Sequence, residues 1–106
     1  MTPQRGEIYL VRAQWRQCMD IRPWVGVDSE ADGTAVVGVL VSSARELYDP
    51  RRHFLIPENH PDFMATGLRR ESYCWGDEMP RVGIARLGKK LGRLEGQLLR
   101  AFNAWL

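Results

Sequence analysis

Arginine is the residue type in this sequence with the clearest chemical bias. The chain has 15 basic against 13 acidic side chains, 13 of the basic ones are arginine, and the net charge is only +2. A guanidinium group binds two phosphate oxygens in a planar fork, which the point charge of an ammonium does not. The composition therefore favours an anionic partner, although an arginine-rich proteome bias would give the same count.

Two of these arginines lie beside tryptophans: Arg16 follows Trp15, and Arg22 precedes Trp24 by two residues. Aromatic rings next to arginines stack unpaired nucleic-acid bases, and each stack contributes about 1–3 kcal/mol. The alternative is that the tryptophans belong to the core or to a dimer interface. For Trp24 we favour that alternative.

Other catalytic patterns are missing from the sequence. His53 and His60 lie seven residues apart and show no HxxxH spacing, and Cys18 and Cys74 form no CxxC pair. The chain also lacks a complete phosphate-binding loop and a GxSxG motif. We therefore expect no metal or other cofactor, free cysteine thiols, and neither nucleotide hydrolysis nor acyl transfer.

The elements that must position the candidate residues are mainly short strands. Apolar side chains and turn residues predict strands at residues 7–13, 24–28, 34–42, 53–56, 72–75 and 82–85. The second and third of these form a hairpin, because an Asp-Gly turn lies between them. Residues 14–21 show no period and are predicted to be a loop, after which Pro23 forces Arg22 into extended backbone.

From Leu91 onward the apolar residues recur every three or four positions, which predicts a C-terminal amphipathic helix with one face on the sheet. Gly92 is the predicted N-cap, and Gly96 weakens the first turn. At 106 residues the chain is predicted to be a single domain spanning 1–106. Residues 1–6 carry no apolar signal segment and no window is apolar enough to cross a bilayer, so we expect a cytoplasmic protein that does not bind membranes.

Several strings of the sequence resemble the PemK/MazF-like toxins of bacterial toxin–antitoxin modules. They are RGEIYLV at 5–11, RPWVGV at 22–27, GLRRES at 67–72, GDE at 76–78, RL at 86–87 and LGRL at 91–94. Together they contain 28 of the 106 residues and follow the family's order between residues 5 and 94. The resemblance implies a small SH3-like barrel of about five to seven antiparallel strands, closed by the C-terminal helix.

The resemblance also implies a function. Members of this family are homodimeric endoribonucleases that cut single-stranded RNA without a metal, and a cognate antitoxin protein inhibits them. The cut is made by the ribose 2′-hydroxyl, so the site needs a proton acceptor, a proton donor and a cation facing the phosphoryl oxygens. We therefore expect single-stranded RNA, an antitoxin and a second copy of the chain as partners.

The resemblance assigns site residues position by position. Arg22 matches a functional arginine and would bind the phosphoryl oxygens, Ser42 would orient the reacting group, and Asp77 matches an acid that exchanges protons in some members. For Ser42 the alternative is a strand-end serine that bonds to its own backbone. The predicted RNA-binding residues are Trp15, Arg16, Ser43 and Arg81.

Two other functions remain open on the sequence. CcdB-like toxins have the same barrel, do not cleave anything and poison DNA gyrase through C-terminal residues that include a tryptophan; this chain has Trp105 near its end. The segment before Arg22 also departs from the family, which would fit a relative that binds RNA or a partner without cleaving. Replacing Trp105 would discriminate the gyrase alternative.

Overall fold

In a computed structural model, which describes residues 2–15 and 17–106 and only the backbone of Trp15, the chain forms seven antiparallel strands and one C-terminal helix. The elements are β1 (Glu7–Trp15), β2 (Cys18–Ser29), β3 (Ala35–Ser42), β4 (Phe54–Ile56), β5 (Ser72–Trp75), β6 (Arg81–Gly83), β7 (Lys90–Arg93) and α1 (Gly96–Trp105). The strands curl into a half-barrel, which confirms the predicted mainly-β class with a C-terminal helix.

The sheet has the strand order β4-β5-β3-β2-β1-β7. At the edge of β3 away from β2, the first half of β3 pairs with β6 and its last three residues pair with β5. The β2–β3 hairpin closes as predicted, with the N–H of Glu30 donating to the carbonyl of Ala35 and that of Gly33 donating to the carbonyl of Glu30. The open end of this hairpin carries the candidate site residues Arg22, Ser42 and Ser43.

The loop predicted at residues 14–21 is wrong. β1 and β2 stay paired from Ile8 opposite Val25 as far as Trp15 opposite Cys18, so most of the segment is a two-stranded ribbon. Side chains alternate between apolar and polar only where one face of a strand is buried. The β2 strand of this ribbon is exposed, so its side chains show no such alternation. Met19 and Ile21, for example, are 60% and 65% exposed. Strand pairing itself needs only backbone groups.

Pro23 fits within this ribbon without breaking it. It lies opposite Leu10, whose N–H donates to the carbonyl of Lys89 and whose carbonyl accepts from the N–H of Gly88. Leu10 thus makes its hydrogen bonds on the side away from β2, and the missing N–H of Pro23 removes no bond between β1 and β2. The backbone of Arg22 is extended, as predicted for the residue before a proline.

The predicted elements at the end of the chain need two corrections. The strand predicted at 82–85 ends at Gly83 and continues as a 3-10 helix at Ile84–Arg86. The helix begins at Gly96 with Glu95 as N-cap, whereas Gly92 lies in β7 opposite Ile8. Leu91 and Leu94 match the helical spacing, but pairing with β1 sets residues 90–93 in a strand.

The sheet is packed on both faces. On one face α1 covers a core that includes Ile8, Val25 and Val39 together with its own buried Leu98 and Phe102, so the predicted amphipathic stripe is confirmed. The other face carries Val11, Trp24, Val36 and Leu40. Trp24 is fully buried, which confirms its core position and removes it as a platform for base stacking.

No helix in the described part of the chain is long and apolar enough to cross a membrane.

The two cysteines should differ sharply in reactivity. Both are free; Cys18 is exposed on the ribbon, whereas Cys74 is completely buried in β5, and this burial raises the pKa of the Cys74 thiol. Because the thiolate is the reactive form, a thiol-titrating reagent at pH 8 should modify Cys18 rapidly and Cys74 only after unfolding. Equal reaction rates of the two in the native protein would contradict this packing.

Candidate functional site

Arg22 and Ser42 both lie at the open end of the β2–β3 hairpin, beyond its last strand pair. The last pair between these strands is Trp24 opposite Leu40, after which β3 pairs with β5 instead. Continuing the register by two residues sets Arg22 opposite Ser42. Alternate residues of a strand share a face, so both side chains lie on the face that carries Trp24 and Leu40.

The Arg22 side chain is well positioned for binding an anion. It lies on the same face as its partner in β1, the buried Val11, and retains 24% of its exposure. Its guanidinium is 3.4 Å from the carboxylate of Asp20, which is itself 53% exposed. An ion pair this exposed contributes at most about 1 kcal/mol, so a phosphate could compete with Asp20 for the guanidinium.

Ser42 is only 2% exposed, and its Oγ accepts a hydrogen bond from the N–H of Ala44 at 3.1 Å. Such a bond to the nearby backbone is expected if Ser42 is a structural serine at the end of a strand and not a group that orients the reaction. The Ser42 hydroxyl keeps its own proton as a donor. Opposite it, the hydroxyl of Tyr73 donates to the carbonyl of Ala44 at 2.8 Å, which holds the chain after β3 in place. The next residue, Ser43, is exposed.

Asp77 belongs to a different group of side chains. It lies in a turn after β5, is 21% exposed, and its Oδ1 is 2.7 Å from a guanidinium nitrogen of Arg52 and 3.8 Å from Nε2 of His53. Tyr73, the partner of Ser42, precedes it by four residues, which is up to roughly 13 Å of extended chain. None of the described contacts joins Asp77 to Ser42, so the three predicted catalytic residues do not form one cluster.

His53 lies next to Asp77, a position that its spacing in the sequence does not predict. Its ring is 4% exposed and stacks on Tyr73 and Trp75, with ring centroids 5.1 Å and 4.5 Å away. Nδ1 accepts the N–H of Asp49 at 3.0 Å, so in the neutral ring the proton is on Nε2, which faces Asp77. These residues come from separate parts of the chain, and spacing gives no signal for them.

The remaining RNA-binding candidates are dispersed. Arg81 pairs with Val37 at the turn end of the hairpin and forms an ion pair with Glu30, whose hydrogen bond and charge raise the pKa of Arg81. Val37 also lies opposite Asp28, six residues from Arg22 and thus roughly 20 Å along the strand. Arg81 and Arg22 therefore cannot bind the same phosphate.

The predicted roles of Arg16 and of the Trp15 side chain lie outside the described residues. Among the residues that are described, no three His, Cys, Asp or Glu side chains gather as metal ligands would. The sequence matches no model of a known protein family, and no curated protein matches it.

Proposed function

We propose that this protein is an endoribonuclease toxin similar to PemK/MazF proteins, which acts on single-stranded RNA in the cytoplasm as a homodimer and is inhibited by a cognate antitoxin. The observation that carries the proposal is the position of Arg22 and Ser42 on one face, at one end of a seven-stranded half-barrel with a C-terminal helix. These are two of the residues that the resemblance assigns to the reaction, and they lie at the same end of the hairpin although 20 residues separate them in sequence.

The proposed reaction is the one that the resemblance implies. A base removes the proton of a ribose 2′-hydroxyl, its oxygen forms a bond to the adjacent phosphorus, and the bond to the 5′-oxygen breaks as that oxygen gains a proton. The products are a 2′,3′-cyclic phosphate and a 5′-hydroxyl. The Arg22 guanidinium binds the phosphoryl oxygens, where negative charge builds up in the transition state. The Ser42 hydroxyl would donate to one of them.

Asp77 remains the proposed proton-exchanging group. Its carboxylate pairs with Arg52, and an acid or base must lie within hydrogen-bond reach of the 2′-hydroxyl or the 5′-oxygen at the phosphate that Arg22 binds. Asp77 therefore acts only if RNA binding or dimerisation brings it to that phosphate. A homodimer supplies a second copy of both groups.

Purified protein should cleave a mixed-sequence single-stranded RNA in the presence of EDTA. The matched control is the same oligonucleotide made with 2′-deoxyribose at every position, which lacks the attacking hydroxyl and should stay intact. The 3′ ends of the products should be cyclic phosphates, detected by mass spectrometry. Cleavage of the deoxy control, or no cleavage of several different RNAs, would contradict the proposal.

Gyrase poisoning is the less favoured function because Trp105 already has a place in the fold. Its ring packs against Phe54 and Phe102, each about 5.8 Å away between centroids, and its indole N–H donates to the carbonyl of Arg52 at 3.2 Å. Inhibition of gyrase by a chain that leaves RNA intact would reverse this preference. Binding of RNA without cleavage would favour the cleavage-deficient relative.

A further inference from the structure

A cavity of about 340 Å³ lies beside the open end of the β2–β3 hairpin, and we call it the basic cavity. Three exposed cations border it: Arg69, Arg70 and Lys89. Pro23 and Ser43 form part of its wall. Each is the chain neighbour of a predicted catalytic residue, since Pro23 follows Arg22 and Ser43 follows Ser42.

The three cations are brought together by tight backbone packing. Gly67 has φ +72°, and a Cβ atom there would lie 2.0 Å from the carbonyl oxygen of Leu91, so the loop before Arg69 packs directly on β7. Lys89 is fixed from the other side, because its carbonyl accepts the N–H of Leu10. The basic cavity is therefore set by the fold and not by the side chains alone.

Arg69, Arg70 and Lys89 lack the ion pairs that six other cations of the described chain make. Ion pairs with described carboxylates are made by Arg22, Arg51, Arg52, Arg81, Lys90 and Arg93. Among the described residues, none of Arg69, Arg70 and Lys89 has such a partner within 4.0 Å. Three unneutralised charges around one concavity repel each other and raise the local concentration of anions.

One feature near the basic cavity limits this excess charge. Arg70 also borders a neighbouring cavity that contains Glu46, Glu58 and Glu71. The Glu71 carboxylate, however, accepts the N–H of Glu58 at 3.3 Å and makes no ion pair with Arg70 among the described contacts. Arg69 and Lys89 do not border that neighbouring cavity, so their positive charge is left for an external group.

We infer that the basic cavity binds a phosphate of the single-stranded RNA, on the opposite face of the sheet end from the phosphate at Arg22. Two neighbouring guanidinium groups suit a phosphodiester, and the exposed Ser43 hydroxyl adds a donor. Apart from Ser72, the rest of the wall is apolar, with Leu10, Leu68 and Leu91, which suits a ribose or a base. The volume lies at the small end of ligand pockets, so it fits about one nucleotide unit.

The two sites would then hold one RNA strand at two points. Arg22 projects from one face of β2, whereas Leu10 and Pro23 form a pair whose side chains point to the other face. A strand that passes around the open end of the hairpin, where β2 and β3 are no longer paired, reaches both. The identity of this ligand rests on the proposed function.

The test is the binding of a fluorescent, uncleavable 2′-O-methyl RNA oligonucleotide, followed by anisotropy. The site variant combines Arg69→Ala, Arg70→Ala and Lys89→Ala. The control variant combines Arg86→Ala, Arg93→Ala and Arg100→Ala, which removes the same charge from exposed positions that do not border the cavity. We expect the site variant to bind at least about tenfold more weakly at 0.1 M salt, and the control less than about threefold more weakly.

Salt dependence gives an independent readout. Loss of one neutralised phosphate should reduce the slope of log affinity against log salt by about 0.7 in the site variant. The melting temperature of the site variant should be no lower than that of the wild type, because the substitutions remove three charges that repel each other. Thermal unfolding followed by circular dichroism measures this. Equal losses of affinity in both variants would overturn the inference, since the effect would then be that of net charge alone.

Other outcomes separate this inference from the proposed function. If the wild type cleaves RNA and the site variant binds and cleaves normally, the inference fails and the function stands. If the wild type does not cleave but its RNA binding needs the basic cavity, the function fails and the inference stands. If folded wild type binds no RNA at all, the inference is overturned, and a polyglutamate probe that binds only with the cavity intact would assign the cavity to an acidic protein segment.

Discussion

Replacing Arg22 with alanine is expected to lower the rate of RNA cleavage by about a hundredfold to a thousandfold, which corresponds to about 3–4 kcal/mol of transition-state stabilisation. The reason is that the guanidinium lies where negative charge would develop on the phosphoryl oxygens. The fold should survive, because Arg22 is partly exposed and its ion pair with Asp20 is a surface pair. The measurement is the single-turnover rate of cleavage in EDTA.

Two control variants make this result specific. Arg12 lies in β1 opposite Ile21, one rung from the pair formed by Val11 and Arg22, and it faces the other side of the sheet. Arg12→Ala removes the same charge nearby and should retain most of the activity. Arg22→Lys keeps the charge but loses the planar fork, so its rate should fall between those of wild type and Arg22→Ala. Similar losses in Arg12→Ala and Arg22→Ala would place the reaction elsewhere.

Replacing Gly38 with alanine is expected to destabilise the protein by about 3 kcal/mol or more. Gly38 lies in the middle of β3, and a Cβ atom there would be 2.3 Å from the carbonyl oxygen of Val25 and 2.4 Å from the indole ring of Trp24. Trp24 is fully buried and the carbonyl belongs to β2, so neither can move without disturbing the sheet. Overpacking of a core typically costs about 1–3 kcal/mol, and a backbone clash increases it.

Gly83→Ala is the matched control for this prediction. Gly83 lies in β6 opposite Ala35, but the nearest atoms to an added Cβ would be 4.0 Å away. This variant should keep its stability or gain a few tenths of a kcal/mol, because alanine restricts the unfolded chain. Urea unfolding of both variants measures the difference. Equal midpoints would show that Trp24 does not pack on Gly38 as described.

The hairpin of β2 and β3, strand β5 and the apolar stripe of α1 could all be predicted, because each carries its own signal. In β3 almost every residue is buried, and the turn before it contains Asp-Gly. In α1 the buried Leu98 and Phe102 are four residues apart, as one helical face requires. A local sequence pattern predicts an element when the burial of its side chains produces that pattern. In β3 the pattern is a continuous apolar run, and in α1 it is a spacing of four residues.

Two elements escaped prediction because their partners decide them. The ribbon of β1 and β2 continues through residues 14–15 and 18–21, where the side chains do not alternate, and backbone pairing alone makes these residues strands. Strand β7 contains Leu91 at a spacing that suits a helix, but Ile8 and Gly92 pair and hold it in the sheet. Gly92 lies 84 residues after its partner Ile8, so no local window shows the pairing of β7. In the ribbon the pairs are only a few residues apart, but its exposed side chains give no alternating pattern.

For the candidate site, the sequence by itself determined which residues have suitable chemistry: Arg22, Ser42 and Asp77, and an excess of arginine. Tertiary structure alone decided their grouping. It set Arg22 and Ser42 at the same end of the β2–β3 hairpin, placed Asp77 next to Arg52 and His53, and brought Arg69, Arg70 and Lys89 around one cavity. The physical reason is that side-chain chemistry is a property of each residue, whereas distances between residues far apart in sequence depend on strand register and on close packing at Gly67 and Gly38.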